Sequence, residues 1–282
     1  MTLLPQGVPS MADYERLVAS PELSELTSFS AAFRARHADL VRRDPLEQWS
    51  RRWEYPFAFE AVGKHVEERG GGSYRVLDAG SGFTFFPFLL SERLPVSVTC
   101  VDASPALEPA FRRAVGEAEG VEFRRGDVAG HDVDLGPPFD AVLCISVLEH
   151  VDARDRDRVL GELRRLLRPG GLLVVTFDVA IDGDYEIPLR DAETLLETVS
   201  RTFPHVDVSP PGSLAEAVRG DVLTSRRVAE REPWRMPWSG RVAATLGSLR
   251  HGFVPRSFGY RNLTVWCGRI RREDQPAVPG SA

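Results

Sequence analysis

Between Arg75 and Pro87 the chain reads Arg-Val-Leu-Asp-Ala-Gly-Ser-Gly-Phe-Thr-Phe-Phe-Pro. Val76 and Leu77 form a short apolar strand that delivers an acid, Asp78. Gly80 and Gly82 then turn the chain. Pro87 suits the first turn of a helix, where its fixed φ and missing N–H cost nothing. Strand, glycine turn and helix bring bare backbone close to a ligand.

What surrounds this stretch sets the fold class. Before it, from Met11 to about Gly70, apolar residues recur at helical spacing. Leu46, Trp49 and Trp53 share one helix face, Pro56 interrupts, and Phe57, Ala61 and His65 resume the pattern. Residues 1 to about 12 read as a loose arm, and Gly70-Gly71-Gly72-Ser73 as a flexible joint. After it, strands alternate with helices. The expected strands are Arg75–Ala79, Val96–Val101, Val121–Arg124, Phe139–Ile145, Leu172–Phe177, His205–Val208 and Asn262–Ile270. Helices are expected from Pro87 to Leu94, from Ser104-Pro105 to about Glu119, through Val159, Leu163, Leu166 and Leu167, and from Arg190 to Phe203. Such alternation predicts an α/β, Rossmann-like, mostly parallel seven-stranded sheet with helices on both faces. Residues 1–72 are predicted to be an N-terminal helical cap, residues 73–272 the core, and residues 273–282 a disordered tail. An insertion at about 210–259, rich in Arg, Pro and Trp, is a candidate substrate lid carrying Trp234, Met236, Trp238 and Arg241.

Ligands of such sheets bind at the carboxyl ends of the strands. Asp78, Asp102 and Asp127 all fall at such ends. A dinucleotide site wants a third glycine, but Gly80-Ser81-Gly82 is followed by Phe83-Thr84-Phe85. Asp78 would also repel a pyrophosphate, whereas it would tolerate or attract an ammonium and a sulfonium. Asp102 can serve a ribose on either reading.

Asp78-Ala79-Gly80-Ser81-Gly82 resembles motif I of the class I S-adenosylmethionine-dependent methyltransferases, with Thr84 where the last glycine is usual. Further landmarks of that superfamily follow in order. Val101-Asp102-Ala103-Ser104 resembles the second-strand motif, and Arg125-Gly126-Asp127-Val128 the motif after the third strand. Phe139-Asp140-Ala141-Val142 through Leu148-Glu149-His150-Val151 resembles the fourth-strand motif, and Leu167-Arg168-Pro169-Gly170-Gly171 the turn before strand five. The match spans about residues 75–178.

The resemblance implies S-adenosylmethionine as cofactor and S-adenosylhomocysteine as product. It places Asp78, Ala79, Gly80, Ser81 and Gly82 in the cofactor turn, Asp102 and Ala103 at the ribose, and Gly126, Asp127 and Val128 at the adenine. Cys144, Ile145 and Ser146 would pack beside the ring and the methionine moiety. Trp53 or Tyr55 would close over the sulfonium through cation–π attraction, or Tyr55 would bond the methionine carboxylate; the alternative is aromatic core between cap and sheet. His150 and Glu149 are candidate general bases. The acceptor is expected to be a small molecule, of specialised metabolism, methylated at O, N or C. Two other readings stay open: a protein that binds this cofactor without methylating, and an NAD(P)-dependent oxidoreductase.

Other features narrow the class. A formal charge of -6 argues against a sequence-independent nucleic-acid binder. Gly136-Pro137-Pro138-Phe139 precedes the fourth strand, whereas the motif of base-directed amino methyltransferases follows it. No metal-ligand spacing is present, and Asp152 and Asp155 simply begin a helix. Cys100, Cys144 and Cys267 are far apart and suit a reducing, cytoplasmic setting. No signal peptide or membrane span is expected.

Overall fold

The computed structural model describes residues 3–41, 44–116, 119–130, 133–182, 192–204, 220–232 and 262–273. The helices are α1 (Met11–Val18), α2 (Pro21–Arg36), α3 (Arg51–Arg69), α4 (Phe86–Arg93), α5 (Glu108–Val115), α6 (Arg156–Leu166), α7 (Ala192–Thr202) and α8 (Ser225–Arg231). The strands are β1 (Tyr74–Ala79), β2 (Val96–Asp102), β3 (Val121–Arg125), β4 (Phe139–Ile145), β5 (Leu167–Asp182) and β6 (Asn262–Arg271). They form one sheet in the order β3-β2-β1-β4-β5-β6. All neighbours run parallel except β5 and β6, which are antiparallel. The chain is thus an α/β protein with the expected mostly parallel sheet. Six strands lie among the described residues; the seventh, expected at His205–Val208, falls outside them, as do Trp234, Met236, Trp238 and Arg241.

Every residue of β4 is buried, as its unbroken apolar run requires of a strand covered on both faces. One face carries α1 to α5 and α8, with Trp53, Phe57, Phe86 and Phe111 at its centre. The other carries α6 and α7, which bury Leu160, Leu163, Leu195 and Val199 against Val142, Val175 and Phe177. The crossover order reverses between β1 and β4, the position where such sheets open a ligand crevice.

Several local expectations are corrected. Pro56 does not interrupt the helix; α3 runs through it. A mid-helix proline costs about 3 kcal/mol. Complete burial of Trp53, Phe57, Ala58 and Val62 offsets that cost. Leu46 and Trp49 do not share this helix: Pro45–Glu47 is a separate 3₁₀ turn capped by Asp44, whose carboxylate accepts from the Leu46 N–H at 2.9 Å. The helix expected at Ser104 begins only at Glu108: residues 105–107 form a turn, and the Ser104 N–H donates to Asp102 at 2.9 Å. Asp152 acts as expected, accepting from the Arg154 N–H at the 3₁₀ turn before α6.

The N-terminal arm is not loose. Gly7 and Cys267 exchange both backbone hydrogen bonds, at 2.7 and 3.0 Å. Gln6 Oε1 accepts from the Arg269 N–H at 3.0 Å. Pro9 and Met11 bond to residues 221–223 in the same manner. The arm therefore lies along β6 and satisfies N–H and C=O groups of Cys267 and the N–H of Arg269. Ser10 then caps α1 with a reciprocal capping box to Asp13.

Candidate functional site

The glycine turn after β1 is pinned to the end of β2. The N–H groups of Gly80 and Ser81 both donate to Val101 O, at 2.8 and 3.1 Å. Asp102 secures the rest: Oδ2 accepts from the Gly82 N–H at 3.0 Å and Oδ1 from the Ser104 N–H at 2.9 Å. Gly80 has φ +70°, and a Cβ there would stand 2.6 Å from Val147 Cγ2, so only glycine lets the two loops close.

Thr84, in the usual place of a third glycine, has its own task. Its Oγ1 accepts from the Phe86 N–H at 3.3 Å, starting α4, and it is hydrogen-bonded to Tyr55. The aromatics around it tie the turn to the N-terminal helices. Tyr55 stacks on Phe86 at 4.6 Å, Phe85 meets Phe29 at 6.2 Å, and Phe83 meets Phe33 at 5.8 Å. Burial pushes the Tyr55 phenol up to about 12, so it is neutral at physiological pH.

Two cavities meet over this turn. The larger, about 650 Å³, lies between the segment 44–55 and the ends of β1 and β4; Arg51, Tyr55, Asp78, Gly82 and Ile145 line it. The smaller, about 300 Å³, lies over the ends of β2 and β3; Asp102, Ala103, Gly126, Asp127, Val128 and His150 line it. Gly80 and Ser146 belong to both, and Ser81 lines the larger. Of the remaining sequence candidates, Ala79 and Cys144 are buried in the core beneath α6, and Trp53 is fully buried beside Cys267. Glu149 is buried, while His150 is exposed at the rim of the smaller cavity.

The electrostatics are set by burial. Asp78 is 5% exposed, and loss of water pushes its carboxyl up to about 7 against the opposing pull of Arg51. Asp127 is exposed, and its Oδ1 accepts from the Ala129 N–H at 2.9 Å. Partial burial, then Arg51, lowers the His150 imidazole from its ordinary value.

Sequence reasoning missed a second set of polar groups, on the α3 side of the β4 and β5 ends. Glu54 is fully buried; its Oε1 accepts from Ser146 Oγ at 2.7 Å and Thr176 Oγ1 at 2.5 Å, and its Oε2 pairs with Arg51 at 2.6 Å. Ser146 carries the one positive φ among the described non-glycine residues, 50°. Its N–H donates to Thr176 O at 3.0 Å, so Glu54 and Thr176 together hold the strained residue shared by both cavities. Arg51, Glu54 and Tyr55 lie one helical turn apart, and a Glu between two aromatics of an apolar helix was the available signal.

Residues 77–175 match the methyltransferase domain family. The chain belongs to the class I S-adenosylmethionine-dependent methyltransferases, and S-adenosylmethionine is its cofactor. The ubiquinone biosynthesis O-methyltransferase of Xanthomonas oryzae pv. oryzae (strain PXO99A) is 32% identical over 168 residues, 57% of this chain and 68% of the relative. That of Xylella fastidiosa (strain 9a5c) is 28% identical over 229 residues, 79% of this chain and 87% of the relative. A solved structure, the 4+2 cyclase SpnF, is 20% identical with a TM-score of 0.47, covering 77% of this chain and 81% of its own. No described helix is long and apolar enough to cross a membrane.

Proposed function

We propose that this enzyme methylates a small molecule, with the cofactor lying across Gly80 from the smaller cavity into the larger. The observation that carries the reading is the meeting of the two cavities over Gly80 and Ser146. The residues on each side suit opposite ends of the cofactor. Asp102 spends one lone pair of each oxygen on the turn and keeps others for a ribose diol. Asp127, with Oδ1 on the backbone, keeps Oδ2 for the adenine amino group, and Gly126 and Val128 flank the ring. In the larger cavity, Arg51 and the neutral Tyr55 suit the methionine carboxylate, and Asp78 its ammonium. The bound cofactor supplies an electrophilic methyl group on a sulfonium; the protein's work is to hold an acceptor in line with it. Residues 1–72 serve as the cap over this slot, through the aromatic contacts of Phe29, Phe33 and Tyr55 with the turn. Similarity to ubiquinone biosynthesis O-methyltransferases supports a small acceptor.

Labelled methyl from S-adenosylmethionine should appear in a small compound of a producer-cell extract, and not in macromolecules. Label confined to protein or nucleic acid would overturn the reading.

Cofactor binding is also expected to depend on pH. The folded-state pKa of Asp78 is raised from 3.8 to about 7, so folding penalises its ionised form. Any stability linked to Asp78 is fully present below about 4 and is lost as pH rises toward 7. A cationic ligand reverses that preference and favours the carboxylate. Affinity for S-adenosylmethionine should therefore rise between pH 6 and pH 8, approaching about tenfold. Calorimetry on the wild type and on Asp78→Asn checks this; an identical slope in both would exclude Asp78 as the cause.

A further inference from the structure

Beyond the cofactor turn, the ends of β4 and β5 hold more acidic groups than the described residues pair. Thr176 and Asp178 are two residues apart on β5, so both face α3. Thr176 bonds to Glu54, and Asp178 lies one pleat further toward the carboxyl end. Glu149 comes to the same place from the 3₁₀ turn after β4. It is 2% exposed, and its Oε1 accepts weakly from the Asp178 N–H at 3.4 Å, which turns the carboxyl toward β5. Glu149 Oε2 and Asp178 Oδ1 are buried and have no hydrogen-bond partner among the described residues. Glu54, Glu149 and Asp178 interact electrostatically with one another, and Arg51 is the cation that opposes them. Arg51 is itself committed to Glu54 at 2.6 Å. Arg51 and Ser146, which border this cluster, also line the larger cavity.

Buried carboxyl oxygens left without donors are costly unless a ligand satisfies them. A hydroxyl acceptor needs one base, and its anion would be repelled by the second acid. An ammonium satisfies both, since it offers several donors and one positive charge. Among the described residues no group of three or more His, Cys, Asp or Glu side chains is placed to hold a metal ion.

We propose that Glu149 and Asp178 form the acceptor site and that the acceptor is a protonated amine. This rests on the methyltransferase reading and names its substrate class. The pair binds the ammonium and takes one proton from it, leaving a neutral amine with a free lone pair. When that lone pair bonds to the methyl carbon, the carbon–sulfur pair remains on sulfur. The products are a methylated ammonium, the thioether and a protonated carboxyl, which returns its proton to water. Burial raises both acids, Glu149 to about 7, so that the pair accepts a proton near neutrality.

The test uses the full-length protein saturated with S-adenosylhomocysteine at pH 8. Benzylamine at 10 mM should raise the thermal midpoint by about 3 °C, and benzyl alcohol should not. The Glu149→Gln/Asp178→Asn double variant should lose the shift; Glu149→Gln alone serves if the double variant fails to fold. Equal shifts from amine and alcohol, no shift from the amine, a larger shift from magnesium chloride, or a shift kept by the variant overturns the proposal. Calorimetry with S-adenosylhomocysteine separates the two levels: lost cofactor binding in the wild type would sink the methyltransferase reading, whereas intact binding with no amine effect sinks only the acceptor site.

Discussion

Asp102→Ala should lower affinity for S-adenosylhomocysteine by at least about tenfold, because a charge-assisted contact to the ribose is lost. The structure makes the expected loss larger than a missing ribose contact alone. Asp102 also accepts from the N–H groups of Gly82 and Ser104, so it shapes the turn that receives the cofactor. Removing it leaves those two donors without their partner and costs roughly 2 kcal/mol of stability, about 1 kcal/mol per bond. Asp102→Asn separates the two roles in part. It keeps one acceptor oxygen but turns an amide NH2 toward the other backbone N–H, so it should lose about half as much stability as Asp102→Ala while its affinity for the cofactor falls. Calorimetry and thermal unfolding on both variants decide the matter. Unchanged affinity in Asp102→Ala would remove Asp102 from the cofactor site.

Glu54→Leu should destabilise the protein by about 3 kcal/mol, or roughly 6–10 °C in thermal midpoint. Glu54 is wholly buried and serves three partners: Ser146, Thr176 and Arg51. Leucine fills the space but leaves two hydroxyls unsatisfied and a largely buried guanidinium without its counter-charge. The loss should reach the site as well. Ser146 sits at φ 50° under both cavities, and without Glu54 its side chain no longer holds that conformation. Cofactor affinity should therefore fall together with stability, even though Glu54 lines neither cavity. A midpoint within about 1 °C of the wild type would show that desolvation of the pair cancels its attraction.

The two predictions differ in how visible their residues are before folding. Asp102 could be found from the chain alone, because an acid at the end of an apolar strand is a local pattern, repeated at Asp78 and Asp127. The succession of strands and helices and the glycine turn follow from the same local regularities. Glu54 and Thr176 carry no such mark, whereas Asp178, directly after the apolar run Leu172–Phe177, does. Glu54 and Thr176 are 122 residues apart, and only the packing of α3 over β5 makes them neighbours. Pro56 misled for a related reason: its local cost is real, but burial of the surrounding helix exceeds it. Ser104 misled because the chain makes a turn before the helix: the Leu107 N–H donates to the Ser104 carbonyl at 3.3 Å, and α5 begins only at Glu108. Thr84 shows the converse. Read as a missing glycine it weakens the motif; seen beside Phe86 and Tyr55 it is the residue that starts α4.

The arm at Gly7 has a consequence for the order in which the molecule is made. Its partner, Cys267, is synthesised about 260 residues later, as is Arg269, whose N–H meets Gln6. Strands β1 to β5 can pair while the chain is still emerging, since each finds its neighbour among residues already present. The arm cannot. Until β6 arrives it has no edge to lie on, and β6 must add to β5 at the same stage. On the ribosome, the closure of this loop of about 260 residues therefore waits for the end of synthesis, and on refolding its entropic cost should make the Gly7 amide late to gain protection against hydrogen exchange.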